Sequence, residues 1–387
     1  MHTSMLLLFC VGVGWIAYVY AGYPLLLALA AGLRRVRPTC RPDTFPVVSV
    51  LLAARNEERD IAWKLRQTLD WDYPAGRLEV LVASDASTDG TDTLIASIRD
   101  PRLQFVRLEQ RLGKNAALNE LAQRATGQLL FFTDANSSIR PGALRRMVAH
   151  FGDPRVGCVT GEMDEVADSA IGAGARTYWG YEALVKSLEN RIGSVLVCVG
   201  SIFCIRRELF QPLHPDTAND LELPLRIGHA GYWLRYEPAA RSTEPAAGSP
   251  REEFARRRRI CAQGLLGMWR LRSTLGGLRG WQFVTRKFLR WIVVVPMALI
   301  LVSSFALASN AMFRTVLGLQ AAFYAAAMVG WVLARAGRKP VRFISVPFYI
   351  VLVALAGLMG ALDACRGRRF HVWEVAALSR GRSTDSA

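Results

Sequence analysis

Asp134 and Asn136 stand two residues apart at the end of an uninterrupted apolar run, Leu129-Leu130-Phe131-Phe132. A run this short and this aromatic reads as a strand buried on both faces. Polar groups at the exit of a buried parallel strand lie where open α/β sheets place their ligands. In extended geometry the two side chains point to the same side. Two oxygen donors so placed suit a hard cation, which would in turn hold a diphosphate. A plain Asp/Asn turn after a core strand accounts for the same residues without chemistry, because both types favour turns.

The surrounding elements supply further charges at matching places. Val47 to Ala53 is a β-branched-rich strand that runs into the loop Ala54-Arg55-Asn56-Glu57-Glu58, and a helical pattern continues to Leu69. Leu78 to Ala83 is a second strand, ending in Ser84-Asp85-Ala86-Ser87-Thr88-Asp89-Gly90-Thr91, which is dense in turn and capping residues. The strand Leu103 to Leu108 leads to Arg111-Leu112-Gly113-Lys114-Asn115, and Ala116 to Ala125 reads as helix. Strands alternating with helices at these lengths predict a parallel, doubly wound sheet. Its strand-end loops carry Asp85, Lys114 and Asp134, one in each. Farther on come a helix from Pro141 to Phe151, a strand from Val156 to Thr160, a helix from Tyr178 to Asn190 and an apolar stretch around Gly200-Ser201. Asp216 to Leu223 looks like a capped helix start bearing Asp220 and Glu222, and Glu252 to Trp269 is amphipathic and strongly basic, with Arg256 to Arg259 in series.

The 387 residues are 51% hydrophobic with a formal net charge of +16, too apolar for an ordinary soluble enzyme. The apolar excess lies at the two ends and the positive charge lies beside it, as in Arg34-Arg35-Val36-Arg37 and Arg286-Lys287-Phe288-Leu289-Arg290. That pairing favours a membrane over nucleic acid, for which no finger, homeodomain or RNP-like motif is present. The seven cysteines form no Cys-x-x-Cys, and an odd, scattered set argues for a reduced compartment and against structural zinc. Met5 to Leu33, Ile292 to Asn310, Val316 to Ala334 and Phe343 to Leu362 each have the length of a spanning helix. Arginines following the first run put the N-terminus outside and the next domain in the cytoplasm. The cationic loop Arg335 to Arg342 belongs inside by the same tendency, whereas four crossings would put Arg366, Arg368 and Arg369 outside. Either one segment is not a full span or the tail is an exception. The expected organisation is a membrane helix and basic flank (1–36), a linker (37–46), a catalytic domain (47–264), an interfacial segment (265–290), three apolar segments (291–365) and a polar tail (366–387).

Several blocks in this order resemble the inverting family 2 glycosyltransferases of GT-A fold in their membrane-embedded form, the branch of cellulose, hyaluronan and poly-N-acetylglucosamine synthases. Ala53 to Glu58 looks like that family's first nucleotide-binding loop and Ser84 to Thr91 like its second, with Asp85 in the place of the base-contacting aspartate. Gly113-Lys114-Asn115-Ala116-Ala117-Leu118-Asn119 is similar to the Gly-Lys-x-x-Ala-Leu-Asn block, and Asp134-Ala135-Asn136 stands where the Asp-x-Asp metal motif stands. Gly200 to Arg207 resembles the acceptor-lining segment. Two departures are visible. The Thr-Glu-Asp motif is Ala218-Asn219-Asp220, and Gln-x-x-Arg-Trp is replaced by Arg256-Arg257-Arg258-Arg259-Ile260, which weakens the case for processive synthesis.

The resemblance implies an α/β GT-A domain with membrane helices, taking a nucleotide-diphosphate sugar, with UDP as the expected nucleotide, and transferring to a saccharide or lipid-linked acceptor at the inner membrane. It assigns donor binding to Ala54, Asn56, Glu57, Asp85, Lys114, Asp134 and Arg259, Mg2+ or Mn2+ to Asp134 and Asn136, and the catalytic base to Asp220. Direct displacement needs one carboxylate to take the acceptor's proton, while the diphosphate leaves on the metal. Glu222 is expected to be a solvated helix acid, and Trp179 and Tyr181 either line a sugar site or pack in the core. A scaffold subunit of an export assembly is the competing class, suggested by Asn136 and Asn219 where acids are expected. A transporter is disfavoured, since the spans are few and lack charged residues.

Overall fold

The computed structural model describes residues 2–33, 45–166, 172–193, 195–245, 247–368 and 370. The flank Arg34 to Arg37, most of the linker, Cys40, Arg369, Trp373 and the rest of the tail lie outside the described residues.

Eight strands form one sheet, ordered β3-β2-β1-β4-β7-β6-β8-β5. They are β1 Val48–Ala54, β2 Leu78–Asp85, β3 Leu103–Leu108, β4 Leu129–Asp134, β5 Ser138–Ile139, β6 Val156–Val166, β7 Phe203–Arg206 and β8 Trp233–Pro245. Alternation along β1 explains its continuous apolar sequence. Val48, Val50, Leu52 and Ala54 enter the core on one face, and Leu51 and Ala53 enter the core on the other. Both faces are covered, as an α/β sheet requires.

β1 to β4 are parallel, in the arrangement expected from the alternating pattern. The second half departs from it, because β7 runs antiparallel to both β4 and β6. The chain bends near Gly200-Ser201, and only Phe203–Arg206 returns along β4, a pairing that needs no crossover helix. Phe132 and Phe203 stack across this junction with centroids 4.5 Å apart. The sheet is therefore mixed.

Register sets the position of the site. Ala53 pairs with Asp134 and Ala54 with Ser84, so three strands deliver their last residues to one level of the sheet.

Three helices are long and apolar enough to cross a membrane: His2–Gly32, Ala311–Arg335 and Arg342–Cys365. The first contains a π-helical turn, Tyr18–Gly22, just before Pro24. The segment expected to cross from Ile292 to Asn310 is instead a helix of 13 residues, Val294–Ala306, bent by 58° from Gly277–Trp291. Its length is about 20 Å, short of the roughly 30 Å hydrocarbon core, so it could cross only as part of that bent pair.

The basic helix Pro250–Arg270 packs along Arg342–Cys365. Arg257 donates to Glu253 (2.7 Å) and to the Tyr349 hydroxyl (2.6 Å), and Arg258 donates to Asp363 (2.8 Å). Gly360 permits this close approach, and Gly357 permits that of Trp291 on the helix Gly277–Trp291. A Cβ on Gly357 would stand 2.3 Å from the Trp291 carbonyl, and one on Gly360 would stand 2.5 Å from the Arg258 carbonyl. Gly357→Val should therefore destabilise the chain by about 1–3 kcal/mol, the usual cost of overpacking. Gly318→Val, where nothing lies within 4 Å, should leave thermal unfolding in detergent unchanged.

Candidate active site

The first two strand-end loops are stitched together. The Asn56 side chain accepts from Thr88 N–H at 2.8 Å, Asn56 N–H donates to Ser87 Oγ at 3.1 Å, and Glu57 N–H donates to Thr91 Oγ1 at 2.8 Å. Arg55 donates to the Ala86 carbonyl at 2.8 Å. Asn56 and Ala86 adopt φ of 50° and 48°, a left-handed region uncommon for residues with a side chain. Strain of this kind gathers at ligand clamps. Ala54 is fully buried beneath the loop. The buried Asp85 carboxylate accepts from Leu112 N–H (2.7 Å) and Gly113 N–H (3.0 Å), so it ties the third loop to the second.

That third loop ends at Lys114, whose ammonium pairs with Asp134, both side chains being about a quarter exposed. Asp134 is the last residue of β4, and the chain turns immediately, with Ser137 N–H reaching back to the Asp134 carbonyl at 3.3 Å. Asn136 lies on this exposed turn. The extended geometry expected to put Asp134 and Asn136 on one side is thus absent, because β4 stops at the carboxylate.

Sequence reading overlooked two side chains around the turn. Lys64, fully buried on the helix Ile61–Leu69, donates to Thr133 Oγ1 (2.8 Å), the Ser137 carbonyl (2.8 Å) and Ser137 Oγ (3.2 Å). It clamps both ends of the segment that presents Asp134. Glu244 lies on β8, one residue past the antiparallel pair Ser138–Thr243. Burial and the charge of Asp134 push its carboxyl above the usual carboxylate range, against a Ser201 hydrogen bond and the cations Arg256 and Lys114. In sequence Glu244 is one acid in a polar stretch, and only the β5–β8 pairing brings it to the turn.

Asp220 opens the helix Asn219–His229, where its charge meets the positive end of the dipole. Its carbonyl accepts from Cys198 N–H at 2.9 Å, and a Cβ on Gly200 would lie 3.5 Å from its Oδ2. The Gly200-Ser201 segment thus passes directly beneath this carboxylate. Burial pushes the Asp220 carboxyl up from its ordinary value. Lys114 and Lys287 oppose that rise, and Asp134 adds to it. Asp134 and Lys114 therefore act on both Asp220 and Glu244, which gathers the four groups at one mouth. Asn219 is 6% exposed, and its Nδ2 has no hydrogen-bond partner among the described residues.

Other expectations change. Glu222 is not solvated: it is fully buried, accepts from His214 N–H at 3.2 Å and pairs with Arg226. Tyr181 donates to the Val19 carbonyl of the N-terminal helix at 3.2 Å, and Trp179 packs against Tyr178 and the Arg257 guanidinium. Neither needs a sugar to explain its place. Of the four arginines, Arg257 and Arg258 are engaged with the C-terminal helix, whereas Arg256 acts on Glu244. Arg259 follows one turn later on the same helix. Among the described residues no three His, Cys, Asp or Glu side chains cluster closely enough to hold a metal by themselves.

Removing the Lys64 clamp should loosen the turn under Asp134. Lys64→Met leaves Thr133 and Ser137 oxygens without their donor, at about 1–3 kcal/mol of stability. The check is thermal unfolding together with limited proteolysis at residues 134–137.

Residues 49–213 match the family described as Glycosyl transferase family 2. The chain is 34% identical over 119 residues to the beta-monoglucosyldiacylglycerol synthase of Synechocystis sp., covering 30% of this chain and 25% of that protein. It is 26% identical over 212 residues to the poly-beta-1,6-N-acetyl-D-glucosamine synthase of Staphylococcus aureus, covering 53% of this chain and 51% of that one. The chain thus spans about half the length, or less, of these curated relatives. The structure resembles mannosyltransferase PcManGT from Pyrobaculum calidifontis, solved in complex with GDP-Man and Mn2+. That likeness has a TM-score of 0.62 at 24% identity and covers 91% of this chain and 99% of the other. Residues 49–213 thus carry a glycosyltransferase family 2 domain, on a sheet of the GT-A fold.

Proposed function

We propose that the protein is a membrane-bound, inverting glycosyltransferase. It moves a sugar from a nucleotide-diphosphate sugar to a saccharide or lipid-linked acceptor, in the synthesis of a surface polysaccharide or glycolipid. The observation that carries this reading is the common mouth formed by Asp134, Lys114 and Asp220, with Asp220 over the Gly200-Ser201 segment. The relatives named above are a glycolipid synthase and a polysaccharide synthase, which fits either product class.

In this reading the loops of Ala54, Asn56, Glu57 and Asp85 receive the nucleoside, with UDP the expected nucleotide. Lys114 and Arg259 face the diphosphate as fixed cations, whose value rises as charge develops on the leaving group. A hard divalent cation fits the oxygen donors present. The charge of Asp134 raises the cost of charging Glu244, and Asn136 adds an amide oxygen at the open side of the turn. The fit requires substrate oxygens as well, since protein acids alone do not complete a site. Mg2+ or Mn2+, when bound, would neutralise the departing diphosphate. Asp220 takes the proton from the acceptor hydroxyl as it attacks the far side of the sugar. Membrane helices flank the domain at both ends, and the arginines after the first one support an inner-membrane protein with the catalytic domain in the cytoplasm.

A non-catalytic scaffold is the second reading, favoured by Asn136 and Asn219 in place of acids. Membranes containing the wild type should release nucleotide from a donor panel in a metal-dependent way. Asp220→Asn should lower that rate about 100-fold or more while nucleotide still binds. Release unaffected by the substitution removes Asp220 as base, and no release from any donor supports the scaffold. Because the base must be ionised and burial raises its pKa, the acid limb of kcat/KM should lie above the ordinary aspartate value of 3.8. A pH–rate profile whose acid limb falls at or below that value would remove the raised base from the mechanism.

A further inference from the structure

The helix Gly277–Trp291 contains a π-helical turn, Val284–Phe288, a local irregularity that often marks a functional position. It carries three cations close together, and two of them are neutralised. Arg286 pairs with Glu182 (3.0 Å) and Glu189, and Arg290 pairs with Glu182 and lies over the rings of Tyr20, Tyr178 and Tyr181 at 5.1–5.6 Å. Two carboxylates thus balance two guanidiniums. Lys287 is the surplus. Among the described residues it makes no hydrogen bond and no ion pair within 4 Å, although it is only partly exposed. Phe283 and Trp291 of this helix pack with Leu221, the residue after Asp220, and with Ala218, so Lys287 stands on the element beside the mouth that holds the proposed base.

An ammonium with no carboxylate within ion-pair reach is open to an anion from outside the chain. The donor's diphosphate already has Lys114 on the sheet side. Lys287 belongs to a different element, a helix whose Leu278 and Val284 are exposed apolar residues. The same helix touches the N-terminal membrane helix, Thr285 Oγ1 lying 3.1 Å from the Tyr18 hydroxyl and Trp281 donating to that hydroxyl at 2.8 Å. The free cation is therefore presented where lipid head groups meet the catalytic mouth.

We infer that Lys287 seats the phosphate of a lipid acceptor, holding the head group against Asp220 while the apolar tail follows the Gly277–Trp291 helix. This rests on the lipid-linked branch of the functional reading and narrows it to phosphate-bearing lipids. A compact ammonium recognises phosphate as a point charge and does not require the planar fork that arginine offers.

The test uses the full chain in nanodiscs of phosphatidylcholine, doped with either phosphatidic acid or diacylglycerol of the same acyl chains. Native mass spectrometry counts the lipid retained, independently of any sugar transfer, so a failure of the enzymatic reading is seen separately. The wild type should retain phosphatidic acid over diacylglycerol by about tenfold, as expected for a charge-assisted contact. Lys287→Met should lose that preference and Lys287→Arg should keep most of it, with UDP and GDP affinity unchanged in both. An unaltered preference in Lys287→Met overturns the inference. Lost nucleotide affinity does so too, since Lys287 would then serve the donor. Inorganic phosphate displacing the lipid at equal concentration would reduce the site to a free-anion site and refute the lipid assignment. If Lys287→Met does not fold, acylation of Lys287 in the wild type decides the matter. Phosphatidic acid should protect that amine and diacylglycerol should not, and equal labelling in the two discs refutes the proposal.

Discussion

Like charges brought to one mouth must be balanced, and the Lys114–Asp134 pair is where this chain does so. Asp134 ends β4 at the level where β1 and β2 also end, so register alone would leave a carboxylate facing Glu244 and Asp220. Lys114 reaches it from the neighbouring loop and acts on all three acids. Its own placement depends on Asp85, whose carboxylate holds the amides of Leu112 and Gly113 just before it. The acid of one loop thus positions the cation that stabilises the acid of another. Arriving substrate would meet a site already ordered, with little reorganisation left for the reaction itself.

The elements around the apolar helices follow the same rule of paired charge, but to a different end. Glu182 and Glu189 on the helix Gly172–Ile192 bind Arg286 and Arg290, and Arg257 and Arg258 bind Glu253, Tyr349 and Asp363. These contacts join the catalytic sheet to the apolar helices through ion pairs taken out of water. Such pairs are weak evidence for stability but costly to break singly, so they fix geometry more than they add free energy. The consequence is an α/β domain held in one orientation relative to the apolar helices.

Much of this was legible in the sequence for a simple reason. Buried parallel strands must be apolar on both faces, so Val48–Ala54 and Leu129–Asp134 announce themselves, and the loops after them are found by where the apolar runs stop. Asp85, Lys114 and Asp134 were placed on strand-end loops in this way, whereas Asp220 was singled out through the family resemblance. What escaped depends on long-range pairing. Glu244 reaches the turn only through the β5–β8 ladder, and Lys64 looks like an ordinary cation on an amphipathic helix until the helix docks its charge beneath Ser137. Glu222 was misread because a helix acid seems solvated unless Arg226 and the His214 amide are known to face it. The antiparallel β7 and the bent Val294–Ala306 segment were hidden likewise, since hydropathy reports neither strand direction nor a bend.

The account stands on Asp134 meeting a metal-borne diphosphate at the end of β4. The most direct measurement is the paramagnetic broadening of the 31P resonances of UDP by Mn2+, in the presence of the wild-type chain and of Asp134→Asn. The account predicts strong broadening of the β-phosphate in the wild type and its loss in the variant, with the uracil protons still showing contact to the protein. Broadening that is the same in both would contradict it, as would nucleotide that binds with its phosphates untouched by the metal.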